Sequence, residues 1–125
     1  MMMRSILCVT AVVAVMGMTQ QAMADGDAAA GATIFKKCAV CHSPDAGVNK
    51  VGPSLHGIVG RHSASIADYN YSPAMKSFDK DWTPEQLDTY LADPRAVVVG
   101  TKMVFPGLKD ATDRANVIAY LSTLK

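Results

Sequence analysis

The chain has 125 residues, with 12 lysines and arginines against 11 aspartates and glutamates, for a formal net charge of +1. That near-balance excludes a nucleic-acid binder relying on net positive charge, and the length suits one domain with a modest core. Only 6% of the residues are aromatic, so a domain of this size is short of large apolar side chains to fill its interior.

The N-terminus reads as a secretory signal peptide over residues 1–24. Arg4 gives the positive start, residues 6–18 are almost continuously apolar, and Ala22-Met23-Ala24 is a small-residue cleavage site followed by acidic Asp25 and Asp27. The apolar run is short for a membrane span, which argues against an uncleaved anchor. Cys8, inside that run, lacks the preceding small residues that lipid attachment would need. Cleavage after Ala24 leaves residues 25–125 as the domain. Arg4 is the only charge lost, so this domain is formally neutral. Of the sulfur residues only Cys38, Cys41, Met75 and Met103 remain. The expected destination is the periplasm, where a bare dithiol would be oxidised.

Residues 27–37 predict a first helix, with Asp27 as cap, an alanine-rich body, and Ile34 and Phe35 apolar at its end. Cys38-Ala39-Val40-Cys41-His42 follows directly. C-x-x-C-H is the pattern of c-type haem attachment. Two thiols three positions apart can form thioethers along one porphyrin edge, and the adjacent imidazole can bind the iron axially. A zinc site or a redox dithiol shares the C-x-x-C half. Zinc would need Cys38, Cys41 and two of His42, His56 and His62, but no second pair has the usual ligand spacing. Covalent haem consumes both thiols, suits an oxidising compartment, and supplies the apolar bulk that the composition lacks. The apo chain should therefore be weakly folded.

Residues 43–60 are punctuated by proline and glycine and read as loop. Ser72-Pro73 starts a short helix ending near Ser77 or Phe78. Thr83-Pro84-Glu85-Gln86 starts a better one, with Thr83 as cap and Gln86 placed for a capping box. Leu87, Tyr90 and Leu91 share one face, and Asp93-Pro94 stops the helix. Residues 95–109 are expected to be extended or loop. A last helix runs from about Asp110 or Thr112 to Leu124, its apolar side formed by Val117, Ile118, Tyr120, Leu121 and Leu124. Val97-Val98-Val99 is too short to build a sheet, so the class is all-α.

A haem held by one histidine has a sixth position to fill. Met103, Met75, His56, His62 and water are the candidates. Met103 sits in a loop bounded by Gly100 and Gly107, which can present a thioether inward. Soft sulfur favours ferrous iron and raises the reduction potential. Met75 reads as core filler, and His56 and His62 as hydrogen-bonded or surface residues.

Taken together, the chain resembles the class I c-type cytochromes, a family of small haem proteins. The resemblance rests on Phe35 through His42, Val51-Gly52-Pro53-Ser54-Leu55-His56-Gly57, Gly60-Arg61, Tyr69-Asn70-Tyr71, Trp82-Thr83, Tyr90-Leu91, Pro94, Gly100-Thr101-Lys102-Met103-Val104-Phe105 and Ala119-Tyr120-Leu121. It implies a fold in which the N- and C-terminal helices cross while short helices and loops wrap one haem. It implies thioethers at Cys38 and Cys41, with His42 and Met103 as iron ligands. Pro53 would accept from the other nitrogen of His42, and Arg61, Tyr71 and Trp82 would hydrogen-bond or screen a haem propionate. Tyr90 and Thr101 would steady Met103, and Gly31 and Phe35 would pack against Tyr120. Two positions depart from mitochondrial members: His62, where lysine is common, and Met75, in place of an asparagine beside the methionine ligand.

The function so implied is a one-electron carrier without catalytic turnover. Its partners would be a quinol–cytochrome c oxidoreductase, a terminal oxidase, a photosynthetic reaction centre or a periplasmic dehydrogenase. Lys36, Lys37, Lys50, Lys102 and Lys109 could form a basic collar that steers acidic partners. A shuttle must dissociate, so a monomer is expected. A labile Met103 would instead make a weak peroxidase or gas sensor, and a chain without haem would be an exported binding module.

Overall fold

The computed structural model describes residues 26–125 and contains five helices. They are α1 (Ala28–Phe35), α2 (Pro73–Phe78), α3 (Pro84–Ala92), α4 (Pro94–Val97) and α5 (Ala111–Leu121). The expected signal peptide and its cleavage site lie outside the described residues. Among the described residues there is no strand, only one antiparallel bridge between His62 and Asp81. None of the described helices is long and apolar enough to cross a membrane.

Each helix starts where its cap dictates. The Asp27 carboxylate accepts from the amides of Ala29 and Ala30, Ser72 Oγ from Met75, Thr83 Oγ1 from Gln86, and the Asp110 carboxylate from Asp113. These bonds satisfy amide donors that the first helical turn leaves without partners. Beyond Phe35 the chain continues in turns, with Cys38 N donating to Phe35 O at 2.8 Å and His42 N to Cys38 O at 2.9 Å. The C-x-x-C-H segment is therefore a coiled extension of α1.

Helices α1 and α5 cross at Gly31. A β-carbon there would stand 1.9 Å from the carbonyl oxygen of Asn116 and 2.9 Å from Tyr120 Cβ, so only glycine admits this approach. One turn on, Phe35 packs on Tyr120 with ring centroids 5.0 Å apart, and the Asn116 side chain accepts from Asp27 N at 2.8 Å. The core combines Phe35, Leu87, Tyr90, Trp82, Val98, Leu108, Val117, Ile118 and Leu121.

Two details differ from the sequence expectation. Residues 95–109 are not wholly loop, because α4 occupies Pro94–Val97. Asp93-Pro94 ends α3 and also starts α4: the Asp93 carboxylate accepts from Ala96 N at 3.3 Å, with proline in the first turn. At the C-terminus α5 stops at Leu121, and residues 122–124 continue as turns.

Candidate functional site

A cavity of about 540 Å³ opens between the C-x-x-C-H turn, the 51–72 loops, α3 and the 101–105 loop. This volume falls in the range of cofactor pockets, which are mostly apolar with a few placed polar groups. Its walls include Cys38, Cys41, His42, Leu55, Trp82 and Met103. Both cysteines carry free, half-buried thiols. Burial raises the Cys38 pKa, and the charge of Lys37 opposes this.

His42 is fixed from two sides. Its Nδ1 lies 2.7 Å from the carbonyl oxygen of Pro53. A carbonyl can only accept, so Nδ1 carries the proton and Nε2 keeps its lone pair in the neutral ring. Burial holds the His42 pKa below its usual value of 6.5; the Pro53 bond opposes this, and Lys50 and Arg61 add to the lowering. A neutral imidazole with a fixed tautomer is what a metal needs. The ring also lies against Gly52, whose amide donates to Cys41 O at 2.8 Å and closes the loop under the attachment turn.

Met103 enters the same cavity from the loop after α4. The hydroxyl of Tyr90, a buried residue of α3, lies 3.8 Å from Met103 Sδ, and Thr101 Oγ1 accepts from Met103 N at 3.3 Å. Burial raises the Tyr90 pKa while a hydrogen bond with Thr101 opposes it. The loop is anchored at both ends, by Thr101 N to Val98 O at 3.0 Å and Leu108 N to Leu91 O at 2.7 Å. Arg114 reinforces the second anchor, donating to Leu108 O and to the Asp88 carboxylate.

Arg61, Tyr71 and Trp82 all line the cavity. Arg61 Nη2 donates to the carbonyls of Ser54 at 2.9 Å and His56 at 2.5 Å. Burial lowers its pKa; the charge of Tyr71 and a hydrogen bond to its phenol oppose this. Trp82 is buried between Phe78 and Tyr90, with centroid distances of 5.2 and 4.8 Å. Met75 reaches the cavity from α2 and packs against the core. His56 binds Pro44 O through Nδ1 at 3.1 Å, and His62 is paired with Asp79 and Asp81. Both ring nitrogens of His62 are thus engaged by carboxylates, and His56 is not among the residues lining the cavity.

The residues present fit a covalently attached haem. An apolar cavity of suitable volume is faced by two free thiols, an imidazole with an unprotonated nitrogen and a thioether. No group of three or more His, Cys, Asp or Glu side chains placed to hold another metal occurs among the described residues. The sequence model of cytochrome c matches residues 28–125.

The chain belongs to the cytochrome c family. This cytochrome carries one covalent haem c through the Cys38–Cys41 pair, with histidine and methionine ligation, and it transfers electrons without catalytic turnover. It is 56% identical over 100 residues to "Cytochrome c-type cyt cy" of Rhodobacter capsulatus, covering 79% of this chain and only 50% of that protein. It is 46% identical over 119 residues to cytochrome c-554 of Methylosinus trichosporium, covering 94% and 90% of the two chains. It is 48% identical over 101 residues to cytochrome c2 of Rhodopila globiformis, covering 80% and 95%. Among solved structures, cytochrome cH from Methylobacterium extorquens superposes with a TM-score of 0.74 at 45% identity, covering 78% of this chain and 99% of that one.

Sequence reasoning missed three features at the cavity mouth. Val40, Val51 and Val104 line it while 75%, 75% and 83% exposed. Lys50 Nζ is tied to Ala39 O at 2.6 Å, and Lys102 Nζ bonds Asn70 O and sits 4.6 Å from the centroid of the Tyr69 ring. Long-range ties of this kind leave no local sequence signal.

Proposed function

We propose that this cytochrome is an exported, periplasmic one-electron shuttle in which His42 and Met103 would ligate the haem iron. The observation that carries the assignment is the Pro53 carbonyl 2.7 Å from His42 Nδ1, which leaves Nε2 as the ligating atom in a cavity shared with the Met103 sulfur. The haem, when bound, supplies a one-electron iron couple whose potential imidazole–thioether ligation raises. The chain's residues hold and shield it. Pro53 keeps the histidine basic and oriented, Tyr90 and Thr101 restrain Met103, and Arg61, Tyr71 and Trp82 offer a charge and polar groups to the propionates, which are otherwise costly to bury.

Transfer to a partner would run through the mouth formed by Val40, Val51 and Val104. Lys37 and Lys102 line this opening, and Lys50 is held beside it by the Ala39 carbonyl. Lys36 is exposed on the same turn. Lys109 is tied to Ala92 O at 3.0 Å and contributes from the far end of the distal loop. An apolar centre with a basic rim fits an acidic redox protein that docks briefly, such as a quinol–cytochrome c oxidoreductase, a terminal oxidase, a reaction centre or a periplasmic dehydrogenase. Stopped-flow reduction by an acidic partner across a salt series tests this reading. Steering predicts a second-order rate that falls as the Debye length shrinks. A flat or rising rate would remove the lysine surface from the account.

A further inference from the structure

Loops 60–63 and 79–82 run antiparallel along one wall of the cavity. Trp82 N donates to Arg61 O, Gly60 N to Trp82 O and Ser63 N to Lys80 O, each at 2.8 Å. Lys80 N donates to Ser63 Oγ at 3.0 Å. At the centre of this short ladder the His62 ring reaches across. Its Nδ1 is 2.7 Å from Asp81 Oδ1 and its Nε2 is 2.7 Å from Asp79 Oδ1.

A neutral imidazole has one N–H, so it can donate to only one carboxylate. Its bare nitrogen would then face a second carboxylate oxygen at the same distance, with two lone pairs opposed. Both contacts are favourable only for the imidazolium. Asp79 also adopts a left-handed backbone, φ 49° and ψ 58°, at the end of α2. That conformation is uncommon outside glycine and persists where surrounding contacts hold it.

We propose that His62 is a positioning residue: as an imidazolium it clamps Asp79 and Asp81 to the 60–63 loop and so holds Arg61 and Trp82 in the haem wall. Loss of its proton releases one carboxylate, loosens the wall and lowers the midpoint potential.

The charged groups facing His62 are Asp79 and Asp81. Arg61 is adjacent in sequence but is engaged by the Ser54 and His56 carbonyls. Lys80, between the two aspartates, lies 5.9 Å from the Phe78 ring centroid. The hydrogen bond to Asp81, then that to Asp79, raises the His62 pKa above 6.5. The sign follows: the clamp is complete below pH 6.5 and is lost as pH rises through the folded-state value. Two effects lower the potential in that interval. A positive charge beside the cavity disappears, and a looser wall admits water, which favours the oxidised form.

The inference rests on a haem in this cavity, but its test separates it from the ligand assignment. On the holoprotein, ring NMR follows His62, hydrogen exchange follows the Trp82 and Ser63 amides, and the sulfur–iron absorbance band reports that ligation is intact. We expect exchange at both amides, corrected for intrinsic base catalysis, to rise several-fold as His62 deprotonates, with the midpoint potential falling over the same pH interval. His62→Gln should flatten both profiles at the high-pH level. Asp79→Asn with Asp81→Asn should move the His62 titration to lower pH and, because an amide can donate to the bare ring nitrogen, flatten the exchange step that accompanies it. An inflection that survives in His62→Gln would overturn the proposal. So would a His62 titration that leaves exchange and potential unmoved, or variants that lose thermal stability yet keep the wild-type pH profile.

Discussion

The backbone of Gly52 lies flat against the ring of His42: a β-carbon at residue 52 would stand 2.3 Å from Cε1, 2.7 Å from Nδ1 and 2.8 Å from Nε2. The ring cannot retreat without giving up the Pro53 carbonyl. Gly52→Ala should therefore strain the histidine side of the site and cost about 1–3 kcal/mol, the usual range for overpacking. Guanidinium unfolding of the holoprotein, followed by haem absorbance, measures the loss. Unchanged stability would show that the ring is not pinned.

The α1–α5 crossing makes a second prediction. Gly31→Ala gains about 1 kcal/mol of helix propensity but drives a methyl group into the Asn116 carbonyl, a backbone atom that cannot swing aside. The net effect should be a destabilisation on the order of 2 kcal/mol. The native visible spectrum should stay unchanged, because the crossing lies outside the ligand set. Denaturant midpoint and spectrum together check this pair of outcomes.

On the distal side, the buried Tyr90 hydroxyl is the polar neighbour of the Met103 sulfur. Tyr90→Phe removes it and should weaken the restraint on Met103 by about 1 kcal/mol. Added imidazole competes for the sixth position, so its apparent affinity should rise roughly fivefold. A spectrophotometric titration reads this directly. Equal affinity in the two proteins would mean that Tyr90 does not hold the loop.

Much of this was legible in the sequence because the signals are local. Asp27, Ser72 and Thr83 cap where their side chains reach amides two or three residues ahead. C-x-x-C-H is contiguous, and the family resemblance placed Pro53, Tyr90 and Thr101 around it. The short helix α4 was not legible, since an Asp-Pro pair that ends one helix was read only as a stop, although the same carboxylate caps the next. The His62 clamp was not legible either. Residue 62 meets residues 79 and 81 only after two loops fold together, and nothing in the local sequence marks that meeting. The same holds for the lysines: their number was visible, but their anchoring to Ala39, Asn70 and Ala92 depends on tertiary placement.

The proposal stands or falls on Met103, which shares the cavity with His42 and would ligate the haem iron, leaving it no position for substrate. The visible spectrum and midpoint potential of the Met103→Ala holoprotein test it most directly. The weak far-red sulfur–iron band should vanish and the potential should fall, with carbon monoxide taken up rapidly. An unchanged spectrum and an unchanged potential would contradict it.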